Sequence, residues 1–183
     1  LFKTGGTGII TGFNCGKEEL PKALVIPAKI GNEVITGISY RAFSGCTGLT
    51  SIDLSGCTSL TEIDENAFSG CTALATLKVD AANTHLTSED NIIYDSGKTK
   101  LLCRAPNVTQ VTFPTTLKEI ADSAFSGCTG LTQADFSQCT SLTKIGESAF
   151  SGCTGLTSLT LPASLEKLDY AAFRYCSEIE GTI

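Results

Sequence analysis

The phrase AFSGCT begins at Ala42, Ala67, Ala124 and Ala149, and a drifted copy, AFRYCS, begins at Ala172. A longer shared text surrounds each copy and is clearest in AFSGCTGLTSLTLPASLEKL, from Ala149 to Leu168. A unit this short cannot stand alone, because ordering its backbone costs more than burial of its few apolar side chains contributes. Copies must stack and cover one another. The repeat therefore constrains the architecture before any individual residue is considered.

The cysteines mark the period. Cys46 to Cys57 is a step of 11 residues and Cys57 to Cys71 a step of 14, and Cys128, Cys139 and Cys153 repeat both steps. Cys153 to Cys176 is 23 residues, because LPASLEKL stands where LSGCTSLTEI stood earlier. A period of 23 to 25 residues carrying LxxLxL, as in Leu49, Ile52 and Leu54, lies in the leucine-rich repeat range. Within Leu156–Leu161, alternation places Leu159 and Leu161 inward and Ser158 and Thr160 outward. Pro162 ends that strand, and Leu165 and Leu168 supply a second extended piece. Asp169, like Asp64 in an earlier copy, is placed to cap one helical turn that points Ala172 and Phe173 inward. The predicted fold is a β-rich repeat solenoid of leucine-rich repeat type. Short parallel strands and short helical turns build about six turns, with one β-hairpin insertion.

Residues 1–23 do not match the repeat and read as an N-terminal hairpin cap. Repeats occupy 24–79. The text 80–105 breaks the pattern, and Ile92, Ile93 and Tyr94, then DSGK, then Leu101 and Leu102 read as a hairpin. Val108, Val111 and Phe113 restart the pattern, and repeats fill 106–183, with the chain stopping mid-repeat. No domain boundary is visible. The half-units Ser55–Cys57 and Ser137–Cys139 predict a bulge at two levels of the rod.

The formal charge is −6 with only 13 Lys and Arg, which argues against nucleic acid or an anionic membrane as partner. No apolar run approaches the roughly 20 residues that span a bilayer, so membrane insertion of this segment is not expected. The chain starts at Leu1 without any methionine and without a leader pattern, which reads as a mature or trimmed segment. Seven of the nine cysteines (Cys46, Cys57, Cys71, Cys128, Cys139, Cys153 and Cys176) recur at one place in the phrase. They read as a stacked column of free buried thiols, and the odd total prevents complete pairing. With no CxxC and one histidine, no usual zinc set can form.

Candidate chemistry is thin. His85 and Cys103 form the single conceivable Cys–His pair outside the repeat, and without an orienting third group they read as a surface histidine and a buried cysteine. Glu18 with Glu19, and Glu178 with Glu180, read as solvated surface pairs. Asn107 opens a glycosylation sequon on an expected strand, which reads as a coincidence. The expectation is a non-enzyme with no cofactor. The candidate binding surface is the set of outward strand positions Ser51 and Asp53, Thr76 and Lys78, Gln110 and Thr112, Gln133 and Asp135, and Ser158 and Thr160. The competing reading is that Ser and Thr merely suit exposed strands. Tyr40 with Arg41, and Tyr170 with Arg174 and Tyr175, are further candidates by residue type, at opposite ends of the rod.

The phrases LTSLTLPASLEKLDYAAF, LTEIDENAFSGC and LVIPAKIGNEVITGISYRAFSGC resemble the BspA-like leucine-rich repeats of bacterial surface proteins. EDNIIYDSGKTKLL is similar to that family's hairpin insertion. The resemblance covers roughly residues 8–180 and implies a secreted or surface-attached solenoid. It implies a recognition or adhesion module that binds extracellular protein or carbohydrate. The alternative is a structural spacer that presents another domain of a larger surface protein.

Overall fold

The computed structural model describes residues 1–179. The predicted mid-repeat end and the Glu178–Glu180 pair extend into positions 180–183, outside the described residues. The chain is a β-solenoid with two parallel strand ladders and a third column made of turns. In the first ladder Ala23–Val25, Ser51–Leu54 and Thr76–Val79 lie side by side, with Ser51 level with Ala23 and Thr76. It resumes with Gln133–Asp135 beside Ser158–Thr160. The second ladder joins Ile9–Ile10, Gly37–Ile38 and Glu62–Ile63, then Lys100–Arg104, Glu119–Ile120, Lys144–Ile145 and Lys167–Leu168. Because equivalent positions sit level, Ile52 meets Leu77 and Ile120 meets Ile145. The sequence columns thus become core columns.

The AFSGC phrase builds the third column. The helical turns expected there are reverse turns closed over three residues, with Ala67 N–H on Asp64 C=O at 3.3 Å and Ser69 N–H on Asn66 C=O at 3.0 Å. A residue at positive φ interrupts each turn, at Asn66, Ser123, Ser148 and Ala171, which stops a helix from propagating. Asp64 does not cap its own turn. Its Oδ2 accepts from Tyr40 N–H one level earlier, at 3.1 Å. Successive turns are joined by rungs from Phe43 N–H to Ala67 C=O (2.9 Å) and from Gly45 N–H to Ser69 C=O (2.7 Å). Phe125, Gly127, Phe150 and Gly152 make the same rungs later in the chain. The half-units Ser55–Cys57 and Ser137–Cys139 form corner turns, in which Cys57 N–H reaches Leu54 C=O and Cys139 N–H reaches Phe136 C=O, each at 2.9 Å.

The phenylalanines of the phrase stack along the core. Phe125 and Phe150 are 4.8 Å apart and nearly parallel at 4°, and Phe150 and Phe173 are 5.1 Å apart at 11°. Such contacts add to the burial of these large side chains. All nine cysteines are free, and Cys46, Cys57, Cys71, Cys128, Cys139 and Cys153 are buried. On the last described levels Leu159, Leu161, Phe173 and Cys176 pack against the core but stay half-buried.

At the N-terminus Phe2–Lys3 pairs antiparallel with Gly12–Phe13, while Ile9–Ile10 already belongs to the second ladder. The insertion forms the expected hairpin, with Ile92–Asp95 antiparallel to Lys100–Arg104. A further strand, Leu86–Glu89, extends it to a three-stranded meander. The meander divides the interior into two cores. Ile93, Leu86 and Ala105 join the first, and Ile92, Tyr94 and Leu101 join the second. Among the described residues, no helix is long and apolar enough to cross a membrane.

Candidate functional site

The outward strip is not continuous. Ser51, Asp53, Thr76 and Lys78 share the first block of the first ladder, and Gln133, Asp135, Ser158 and Thr160 share the second. Between them the meander occupies the edge of Thr76–Val79. Asn91 Oδ1 accepts from Leu77 N–H at 3.2 Å, and Ser88 Oγ accepts from Val79 N–H at 3.0 Å. These side chains replace the next strand, so residues 109–112 form no strand despite their alternating sequence.

The interruption creates a groove of about 730 Å³ that Gln110, Thr112, Gln133 and Asp135 line together. Asp90, from the insertion, and Gln138 complete its polar rim, and Phe113 lies in its floor. Four of the ten strip candidates thus meet in one place, whereas the other six remain on flat strands. Asp90 and Gln138 were not legible as site residues, because the register of the insertion brings Asp90 there and the corner turn after Gln133–Asp135 brings Gln138. Asp135 is held below the usual carboxylate range by hydrogen bonds from the Ser137 N–H, at 2.9 Å, and from its hydroxyl. The groove therefore presents a stable negative charge beside amides and hydroxyls. Asp53 is lowered in the same way by Ser55, chiefly through its hydroxyl.

Tyr40 and Arg41, and Tyr170, Arg174 and Tyr175, sit on the first and last turns of the third column and are not brought together. The Arg41 guanidinium lies 5.0 Å from the Tyr40 ring centre, and Arg174 lies 4.6 Å from that of Tyr175. Each cation is thus engaged by its own neighbour. In the meander, Ile93 is level with Cys103 on one side and Ser88 on the other, so the register does not align His85 with Cys103.

A mixed-charge line runs along the second ladder. Lys100 and Lys144 both approach Glu119 Oε1 at 3.1 Å, and Lys144 and Lys167 approach Asp169 at 3.9 and 2.8 Å. Burial pushes the Glu119 carboxyl up, but hydrogen bonds from Lys144 and Lys100 outweigh it and hold the group below its ordinary value. Opposite charges on successive levels support the stack.

Comparison with known proteins places this geometry. The model of the BspA type leucine rich repeat region matches residues 25–101 and 98–182, in 6 copies. No curated protein matches the chain. Among solved structures, a leucine rich cell surface protein from Faecalibacterium prausnitzii superposes with a TM-score of 0.64 at 22% identity, over 86% of this chain and 46% of that one. The pneumococcal vaccine antigen PcpA gives 0.60 at 22% identity, over 78% of this chain and 40% of that one. A leucine-rich repeat protein from Bacteroides ovatus gives 0.59 at 24% identity, over 98% and 43%. The chain thus spans less than half the length of these structures, and the likeness is one of fold. The family match covers most of the sequence, and the chain belongs to the BspA-type leucine-rich repeat family.

Proposed function

We propose that this chain is a non-enzymatic recognition module of a secreted or surface-attached bacterial protein, and that it binds extracellular protein or glycan at the groove beside the meander. The observation that carries the reading is the convergence of Gln110, Thr112, Gln133 and Asp135 around about 730 Å³. Amides and hydroxyls supply both donors and acceptors, and a carboxylate adds a strong acceptor, which suits the hydroxyls of a sugar or the backbone of an extended peptide. Half-buried Val111 in the lining offers an apolar contact for a ring or side chain. Family membership and the surface proteins among the fold neighbours support an extracellular setting.

The test is a panel of glycans, mucins and matrix proteins presented to the immobilised chain, with the double variant Gln110→Ala/Gln133→Ala beside it. Binding to at least one ligand, weakened in the double variant, is expected. A chain inert to the whole panel would instead favour the spacer reading, and binding that ignores the double variant would move the site off the groove.

A further inference from the structure

The third column is broken once. Rungs join the turns at Ala42 and Ala67, and those at Ala124, Ala149 and Ala172. The equivalent rungs from Phe68 and Gly70 to the Ala124 turn are not formed, and the two turns meet instead through Asn66 Nδ2, which donates to Ser123 Oγ at 3.2 Å. Among the described residues, neither N–H has an acceptor. Their expected partners lie in the Ala124 turn, where Arg104 enters instead. Its Nη2 donates to Phe125 C=O and Ser126 C=O, each at 3.1 Å.

Arg104 is 5% exposed, and its Nε has no hydrogen-bond partner. None of the ion pairs among the described residues includes it. The neighbouring Cys103 thiol is pushed up to about 12 by burial, so it stays protonated near neutrality and supplies no counter-charge. A buried guanidinium without a counter-ion is costly; the Phe125 ring centre, 5.7 Å away, is its aromatic neighbour, and an anion is the partner it lacks. The space for one is present. A cleft of about 190 Å³ lies between the two turns, lined by Arg104, Phe68, Gly70, Asn66 and Ser123, with exposed Ser126 and Gly127 at its rim. A water occupies about 30 Å³ in the liquid, so the cleft admits a group of several heavy atoms.

We propose that this cleft binds a single carboxylate group, held by the Arg104 guanidinium and by the unladdered N–H groups of Phe68 and Gly70. Arg104 is the one charged side chain in the lining, so a singly charged carboxylate neutralises it, while a dianion would leave an excess charge in a half-enclosed site. The carboxylate belongs either to a free small acid or to an acidic sugar, and the site does not depend on the groove described above.

The test is a titration of the folded chain with sodium acetate, and separately with sodium glucuronate, followed by amide NMR at constant ionic strength. Saturable shifts at Phe68 and Gly70 are expected with acetate, and Arg104→Met should weaken them roughly tenfold or more. Glucuronate binding at the same amides assigns the site to sugars as well as free acids, and acetate alone restricts it to small acids. Absence of saturable shifts in the unaltered chain would overturn the proposal, as would tighter binding of inorganic phosphate. Should Arg104→Met fail to fold, Arg104→Lys replaces it, and unchanged acetate affinity in that variant would be equally adverse.

Discussion

Cys153 donates its thiol to the carbonyl of Phe125, one level earlier in the stack, at 3.1 Å. Cys71 does the same to Phe43 at 3.0 Å, and Cys176 to Phe150 at 3.1 Å. At these turns the repeated cysteine therefore adds a bond to a carbonyl one level earlier besides filling space. Burial drives the Cys71 and Cys153 thiols up to about 12, so neither forms a thiolate near neutral pH. In the native state at pH 8, a thiol-reactive dye should label half-exposed Cys15 ahead of Cys71 and Cys153, and mass mapping of the labelled peptides checks the order. Cys153→Val keeps the volume and removes one of three donors to the Phe125 carbonyl, which still accepts from Cys128 N–H and Arg104 Nη2, so it should cost only about 0.5–1.5 kcal/mol in urea unfolding.

Asn83 is a buried polar residue that closes a turn from both sides. Its Nδ2 donates to Cys57 C=O at 3.1 Å and Leu60 C=O at 2.8 Å, and its Oδ1 accepts from the N–H groups of His85 and Leu86 at 2.8 Å. Asn83→Ala removes four bonds at once and should cost about 2–4 kcal/mol. Ser164 stands at the equivalent turn and serves Cys139 C=O and Leu142 C=O with one hydroxyl. Ser164→Ala should therefore cost about 1 kcal/mol, and urea midpoints of the two variants give the comparison.

Glu119 sets an acid limit on the second ladder. Its folded pKa lies below its ordinary value, so its contribution is present above the unfolded carboxyl range, about 4.3, and is lost as pH falls through the folded value. The pairs are partly exposed, so the effect is below about 1 kcal/mol. Melting temperature measured from pH 7 downward should fall less steeply for Glu119→Gln than for the unaltered chain. The two curves should converge in acid, and added salt should narrow the gap at pH 7.

Equivalent glycines differ in tolerance. A Cβ at Gly155 would meet the Thr129 carbonyl oxygen at 2.2 Å, while one at Gly48 would meet nothing within 4 Å. Gly155→Ala should destabilise by about 1–3 kcal/mol, because backbone of the preceding level must shift. Gly48→Ala should be neutral or slightly stabilising, since it only narrows the unfolded ensemble. Paired thermal melts of the two variants read the difference.

The core was legible because it is periodic. The Cys, Phe and Leu columns repeat at fixed steps, and stacking converts a step into a contact. What escaped the sequence depends on pairing between distant segments. Leu86–Glu89 contains one apolar residue and gives no strand signal of its own, yet Ile92–Asp95 recruits it. Arg104 carries no sequence signal, since its carbonyl partners lie 21 and 22 residues further along the chain. The outward strip was drawn from alternation alone, which cannot register that Ser88 and Asn91 would end the ladder and open a groove. Tyr40 and Tyr175 were chosen by residue type, and each proves to be paired locally with its own arginine.

The strand Ile92–Asp95 turns Ile93 toward one core and Ile92 and Tyr94 toward the other. It is therefore the closing layer of both stacks at once, a party wall with a tenant on each side. In a linear array stability is carried by nearest-neighbour interfaces. A shared wall means that neither stack has a free inner end, so fraying does not begin at the wall. Levels could be gained or lost within either stack while the wall, and the two clefts that flank it, stay as they are.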